Sequence, residues 1–282
     1  MMEIEIRKEK HIFGHTAIMG ILNVTPDSFS DGGRYNGTKA ALSHCESMLS
    51  EGADIIDIGG CSTRPNNAIA TEEEETERVL PVLKSIRQHF PKAIVSIDTF
   101  RKSVAQKCID EGADIINDIS GGLFDEAMLP YIGQNHIPYI LMHCHGTPET
   151  MHQYQLDGDI CHTVADFFRR QTSIISEHGY APVILDPGIG FSKSLEANYT
   201  LLCDIEGYRI DNLPVLIGIS RKSLINKVLG TTPATAENGT TVLNTIAMMK
   251  GADIIRVHNI KNAVEARHLV EQCEKSTNFA KK

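Results

Sequence analysis

The sequence predicts an α/β fold, a (β/α)8 or TIM barrel with a short N-terminal hairpin. Eight short apolar runs alternate with stretches of helical periodicity and charged faces, as parallel strands do when helices cover the sheet. Each run ends in a polar residue. Three open with the same five residues, Gly-Ala-Asp-Ile-Ile, at Gly52–Ile56, Gly112–Ile116 and Gly251–Ile255, and then diverge to Asp57, Asn117 or Arg256. A common start with a diverging end suits a barrel, whose strand N-termini serve stability and whose C-terminal ends carry chemistry. The length, 282 residues, is close to the roughly 250 of one such barrel. One domain spanning 1–282 is expected, with 1–15 forming a hairpin that closes the barrel bottom.

Met2-Glu3-Ile4-Glu5-Ile6 alternates with the period of a half-buried strand and opens that hairpin. The strand runs follow at Ile18–Asn23, Ile55–Asp57, Ile94–Asp98, Ile115–Asn117, Tyr139–His143, Val183–Asp186, Val215–Ser220 and Ile254–Arg256. Helices are expected near 38–51, 73–90, 101–111, 125–135, 159–179, 194–204, 239–250 and 261–275, with a short extra one after Arg221. Thr71 before Glu72-Glu73-Glu74-Glu75 reads as a capping box whose acids favour a helix start.

Composition narrows the function. A net charge of −9 opposes general affinity for nucleic acid or an anionic membrane, leaving local basic groups to hold a small anion. No apolar stretch approaches the ~20 residues of a membrane span. The charged start lacks a signal-peptide core. Seven scattered cysteines without a C-x-x-C pair indicate reduced thiols. A cytoplasmic protein is expected.

Two loops at strand C-terminal ends are long and rich in Pro, Gly, Ser and Asp: Asn23-Val24-Thr25-Pro26-Asp27-Ser28-Phe29-Ser30-Asp31-Gly32-Gly33, and Gly59-Gly60-Cys61-Ser62-Thr63-Arg64-Pro65-Asn66-Asn67. Such loops on a barrel's catalytic face usually bind ligand. Asp98 and Asp186 end strands, and either carboxylate can accept two parallel hydrogen bonds from an amino group beside a ring N–H. Asn117 matches a mixed donor–acceptor edge. Taken alone, each also suits the cap of a following helix. In Asp186-Pro187-Gly188-Ile189-Gly190-Phe191 two glycines allow close approach and Phe191 offers a flat face, which Met142 and Ile119 could extend; both also suit barrel core. Arg256 and His258, two apart, face one way along a strand and can donate to a diphosphate. Arg64 and Lys222 add charge from other loops.

Taken in order, Asn23–Gly33, Ser62–Pro65, Ser96–Thr99, Asn117–Gly121, Asp186–Phe191, Ser220–Ser223 and Arg256–His258 resemble the motifs of the dihydropteroate synthase family, over about Thr16 to Ala266. The resemblance implies a transferase of folate biosynthesis and a sulfonamide target. It would join 6-hydroxymethyl-7,8-dihydropterin diphosphate to p-aminobenzoate, giving 7,8-dihydropteroate and pyrophosphate. It further implies that Asp98, Asn117, Ile119, Met142, Asp186, Phe191 and Lys222 bind the pterin. Asn23, Thr63, Arg64, Arg256 and His258 would meet the diphosphate, with Mg2+ on Asn23. Phe29, Thr63, Pro65 and Ser220 would hold p-aminobenzoate. Asp31, Asp98, Arg64 and Lys222 would be catalytic, and the chain a homodimer through late helices such as that carrying Ala247, Met248 and Met249. A common family form has Glu before Ser-Thr-Arg-Pro and Gly after it; here Cys61 and Asn66-Asn67 stand there, which bears on the second loop. Two other functions share the barrel: a folate-binding, corrinoid-linked methyltransferase domain, and a non-catalytic pterin-binding paralogue. Neither needs the diphosphate grip of Arg64, Arg256 and His258.

Overall fold

In a computed structural model, residues 2–25, 33–62, 68–147, 150–151 and 153–280 are described. Strands β1 (Met2–Ile6) and β2 (Glu9–Phe13) form an antiparallel hairpin in which Met2 faces Phe13 and Ile6 faces Glu9. Its two-residue turn puts Arg7 and Lys8 at φ 54° and 64°, the left-handed geometry that matches strand twist in tight hairpins. Eight parallel strands follow: β3 (Ala17–Asn23), β4 (Ile55–Gly59), β5 (Ile94–Asp98), β6 (Ile115–Asp118), β7 (Tyr139–Met142), β8 (Val183–Asp186), β9 (Leu216–Ile217) and β10 (Ile254–Val257). They pair in the order β8-β7-β6-β5-β4-β3-β10-β9, and a bridge between Leu185 and Val215 nearly closes the ring. The helices are α1 (Gly33–Ser50), α2 (Glu72–His89), α3 (Lys102–Asp110), α4 (Met128–Asn135), α5 (Ile160–Glu177), α6 (Leu195–Cys203), α7 (Ser223–Leu229), α8 (Glu237–Met249) and α9 (Ile260–Ala280).

Each Gly-Ala-Asp-Ile-Ile run performs one local task. The glycine, at φ 99°, 93° and 96° for Gly52, Gly112 and Gly251, ends a helix in a conformation that side chains rarely adopt. The following alanine N–H returns to the helix, Ala53 to Met48, Ala113 to Cys108 and Ala252 to Ala247. The aspartate then reaches back to the start of the preceding, neighbouring strand: Asp54 accepts from Ile18 N at 2.8 Å, Asp114 from Val95 N at 2.8 Å and Asp253 from Val215 N at 2.9 Å. An arginine neutralises each one: Arg267 on Asp54, Arg87 and Arg7 on Asp114, and Arg209 on Asp253. The first isoleucine of each pair joins a core with the hairpin residues Met2, Ile4, Ile6 and Phe13; the second joins the layer under the helices. With a period of two, the next inward positions are Asp57, Asn117 and Arg256.

Three expectations shift. Helix α1 begins at Gly33, not near 38, and α9 runs on to Ala280, past 275. The run Val215–Ser220 forms a ladder only at Leu216–Ile217; Lys222 N bonds to Ile219 O at 3.1 Å and Arg221 takes φ 59°, so the chain turns away before the run ends. The capping box at Thr71 is formed, with Glu74 N donating to Thr71 Oγ1 and Thr71 N to the Glu74 carboxylate.

Candidate active site

The three diverging residues meet. Asp57 is fully buried, and its Oδ2 accepts from Arg256 Nε at 2.7 Å and from Asn117 Nδ2 at 3.0 Å. Arg256 Nη2 continues to Asp98 Oδ2 at 2.7 Å. The strand ends of β3, β4 and β5 align Asn23, Gly59 and Asp98. Because Gly59 has no side chain, Asn23 and Asp98 crowd the space above it: a Cβ there would lie 3.5 Å from Asn23 Oδ1 and 3.7 Å from Asp98 Oδ2. Burial, reinforced by Asp57, pushes the Asp98 carboxyl up to about 7, while the Arg256 guanidinium restrains the rise.

Across the mouth, the loop after β8 depends on two glycines. Gly188 has φ 66°, and a Cβ on it would stand 2.0 Å from His143 O; one on Gly190, at φ 87°, would stand 2.9 Å from Lys222 Cδ. Gly188 N donates to Asp186 Oδ1 at 2.7 Å. Burial raises the Asp186 carboxyl against the pull of Lys222. Lys222 donates to Ile189 O at 2.6 Å and lies 4.6 Å over the Phe191 ring; burial lowers its ammonium to about 8. Ile119 and Met142 share an apolar cluster with Phe100, Cys144 and Met151, against which Phe191 packs. Asp118 shapes the loop bearing Ile119 by accepting from Ser120 N at 2.7 Å, Gly122 N at 2.9 Å and the Tyr139 hydroxyl at 2.7 Å. His258 Nδ1 lies 2.9 Å from Ser220 Oγ.

Thus Asp98, Asn117 and Arg256 come together at the strand ends, Ile119, Met142 and Phe191 form one wall, Lys222 spans Phe191 and the loop backbone, and Ser220 joins His258. Phe29, Asp31, Thr63, Arg64 and Pro65 lie outside the described residues. Sequence reasoning left Asp57 among the strand-end residues without a role and passed over Lys193. The signal for Asp57 was its equivalence to Asn117 and Arg256; for Lys193 it was a lysine just beyond a buried glycine loop. Burial raises the pKa of the Cys61 thiol, which disfavours a reactive thiolate there.

The surroundings define the class: a barrel enzyme whose mouth sets carboxylates, an amide and two cations around an apolar wall, suited to a flat heterocycle with polar edges. A sequence profile of the family described as pterin binding enzyme matches residues 19–258. The dihydropteroate synthase of Escherichia coli strain K12 is 42% identical over 259 residues, 91% of each chain. The Yersinia pestis dihydropteroate synthase, solved as a sulfonamide drug complex, superposes with a TM-score of 0.89 at 38% identity, covering 98% of this chain and 100% of that one. The Burkholderia cenocepacia dihydropteroate synthase, complexed with 7,8-dihydropteroate, gives 0.87 at 30% identity over 98% of both chains. The chain belongs to the pterin-binding enzymes and, among them, to the dihydropteroate synthases. It is a transferase that makes dihydropteroate for folate synthesis.

Proposed function

We propose that the reaction is a displacement at the exocyclic methylene of 6-hydroxymethyl-7,8-dihydropterin diphosphate, in which the amine of p-aminobenzoate replaces pyrophosphate. The carrying observation is the layer in which Arg256 joins Asp57 to Asp98, with Asn117 on the same Asp57 oxygen. The pterin edge lies against Asp186, Asn117 and Asp98, with its ring on the wall formed by Phe191, Ile119 and Met142, and Lys222 donates to a ring acceptor. Carboxylate acceptors opposite an amino group and ring N–H form charge-assisted pairs. Arg256 and His258 hold the diphosphate and, with Arg64 and Thr63, stabilise the departing pyrophosphate. The electron-rich pterin spreads the positive charge left at the methylene, and Asp98 and Asp31 stabilise it. An aryl amine is already neutral and needs placement more than a base. Phe29, Thr63 and Pro65 flank its ring, and Ser220 receives its carboxylate.

Mg2+ fits as a metal delivered with substrate. Asn23 offers a neutral oxygen beside the Asp98 carboxylate, and among the described residues no group of three His, Cys, Asp or Glu side chains could hold a metal by itself. Such a set suits a hard cation that keeps its waters and diphosphate oxygens. When bound, Mg2+ neutralises charge on the leaving group.

A homodimer through α8 and α9 is the matching assembly. Met249 and Leu269, 67% and 70% exposed on these helices, line one groove with Val270 and Ala266, and apolar side chains that share a groove mark an interaction site. Ala247 and Met248 are buried in the core, which leaves Met249 as the partner-facing member of that trio. A cytoplasmic location accords with the scattered cysteines.

The reaction is tested by pyrophosphate release from the pterin diphosphate and Mg2+, with and without p-aminobenzoate. Release that requires p-aminobenzoate and matches dihydropteroate formed supports the displacement. Pterin ester binding without product would instead mark a non-catalytic paralogue, and methyl transfer to a corrinoid would mark the other alternative.

A further inference from the structure

Lys193 follows the loop that carries Asp186 and Phe191, and is only 7% exposed. Its ammonium donates to three backbone carbonyls: Gly188 O at 3.0 Å, Phe191 O at 3.0 Å and His143 O at 3.3 Å. An ammonium has three N–H groups, so its entire donor capacity goes to main chain. Two acceptors bracket the loop after β8, and the third follows β7. A single charge therefore ties the loop to its neighbouring strand end. The charged and titratable groups facing it are Asp186, Lys222, Cys144 and His143. Burial lowers its pKa to about 7. An apolar side chain could fill the same volume without desolvating a cation, so the amine is retained for its bonds and not for packing.

The other loop fastenings are independent of this one. Asn198 Oδ1 accepts from Gly190 N at 2.6 Å, and Ser192 Oγ donates to His145 O at 2.7 Å. Without Lys193 the loop would stay attached at Gly190 and Ser192, while the carbonyls of Gly188 and Phe191 lost their common donor. Those two residues frame Ile189, whose carbonyl receives Lys222, and include the ring beneath Lys222.

We infer that Lys193 is a positioning residue for pterin binding: its three carbonyl bonds fix the Gly188–Phe191 backbone, and so set the spacing of Asp186, the Phe191 ring and Lys222 against the pterin edge. It touches no substrate itself. This inference rests on the pterin reading of Asp186 and Lys222.

The test uses the full chain with Lys193→Met and Lys193→Gln, measuring Kd for free pterin, KM for each substrate, kcat and Tm. Loss of bonds to a charged donor should raise Kd and KM for the pterin substrate about tenfold in the Met variant, with kcat falling less than about threefold. The Gln variant, with two N–H donors, should fall between. An unchanged pterin Kd in a folded variant would overturn the inference, as would a lower kcat at unchanged pterin KM. A lower Tm without a change in pterin KM would reduce Lys193 to a fold-stabilising residue and also overturn it. Should the Met variant not fold, the Gln variant alone decides by the same pterin Kd. Asp186→Ala is measured beside them: if it too leaves pterin binding intact, the pterin reading itself has failed.

Discussion

Asp57 illustrates how one buried carboxylate organises a site. Its Oδ2 receives Arg256 and Asn117, whereas Oδ1 finds no hydrogen-bond partner among the described residues. Removing a partner from such a group leaves an uncompensated charge. Arg256→Ala should therefore cost on the order of 3–5 kcal/mol of stability, read by denaturant unfolding, and Asp57→Asn in the same chain should recover part of it. On binding, Arg256→Ala should weaken the pterin diphosphate far more than free pterin; equal losses would remove Arg256 from the leaving group. Asp186→Ala should weaken free pterin by about 2–4 kcal/mol through lost charge-assisted bonds, with the fold intact. The pH dependence follows from Asp98, raised to about 7, and from Lys193 and Lys222, lowered to about 7 and about 8. Asp98 accepts best as a carboxylate, so its protonation weakens pterin binding as pH falls through about 7; Lys193 and Lys222 donate as ammonium groups, so their deprotonation weakens it as pH rises past about 7 and about 8. Calorimetric titrations across this range should show both limbs, and Asp98→Asn should abolish only the acid one.

At the scale of the element, the repeated pentapeptide is a strand-starting device with three parts: a glycine that ends the helix, an aspartate that caps the adjacent strand and two isoleucines facing opposite layers. Asp114 carries the densest version, with Val95 N, Arg87 and Arg7 on one buried carboxylate. Asp114→Ala should lower unfolding free energy by about 3 kcal/mol, from the orphaned arginines and the lost backbone acceptor, with pterin affinity unchanged because the device lies at the opposite end of the barrel. The loop after β8 shows the reverse sensitivity. Gly188→Ala would press a Cβ into the His143 carbonyl at a positive φ, so binding should suffer, detected as a raised pterin KM. The strand and helix pattern was legible because each element has a period and a stop signal. The misplaced boundary after Ile217 falls where strand pairing and not propensity sets the limit.

For the whole molecule, the exposed apolar side chains of α8 and α9 predict a stable association. Leu269, 70% exposed, can be replaced without disturbing the core, so Leu269→Glu should convert a dimer to a monomer in sedimentation equilibrium while Tm changes little. A monomeric wild-type chain would dispose of the homodimer. By itself the sequence determined the barrel, the end of it that carries chemistry, and the residue types of the site, because alternation, glycine stops and ordered motifs are local properties. It identified Asp98, Asn117, Asp186 and Arg256 as strand-end polar groups. Only the tertiary structure decided which of them touch: Arg256 joins Asp57 to Asp98 across 199 and 158 residues of chain. Lys193 gained its place in the same way, since its His143 acceptor is 50 residues distant. Closing the sheet into a ring brings such positions together, and no short-range pattern encodes a contact that depends on that closure.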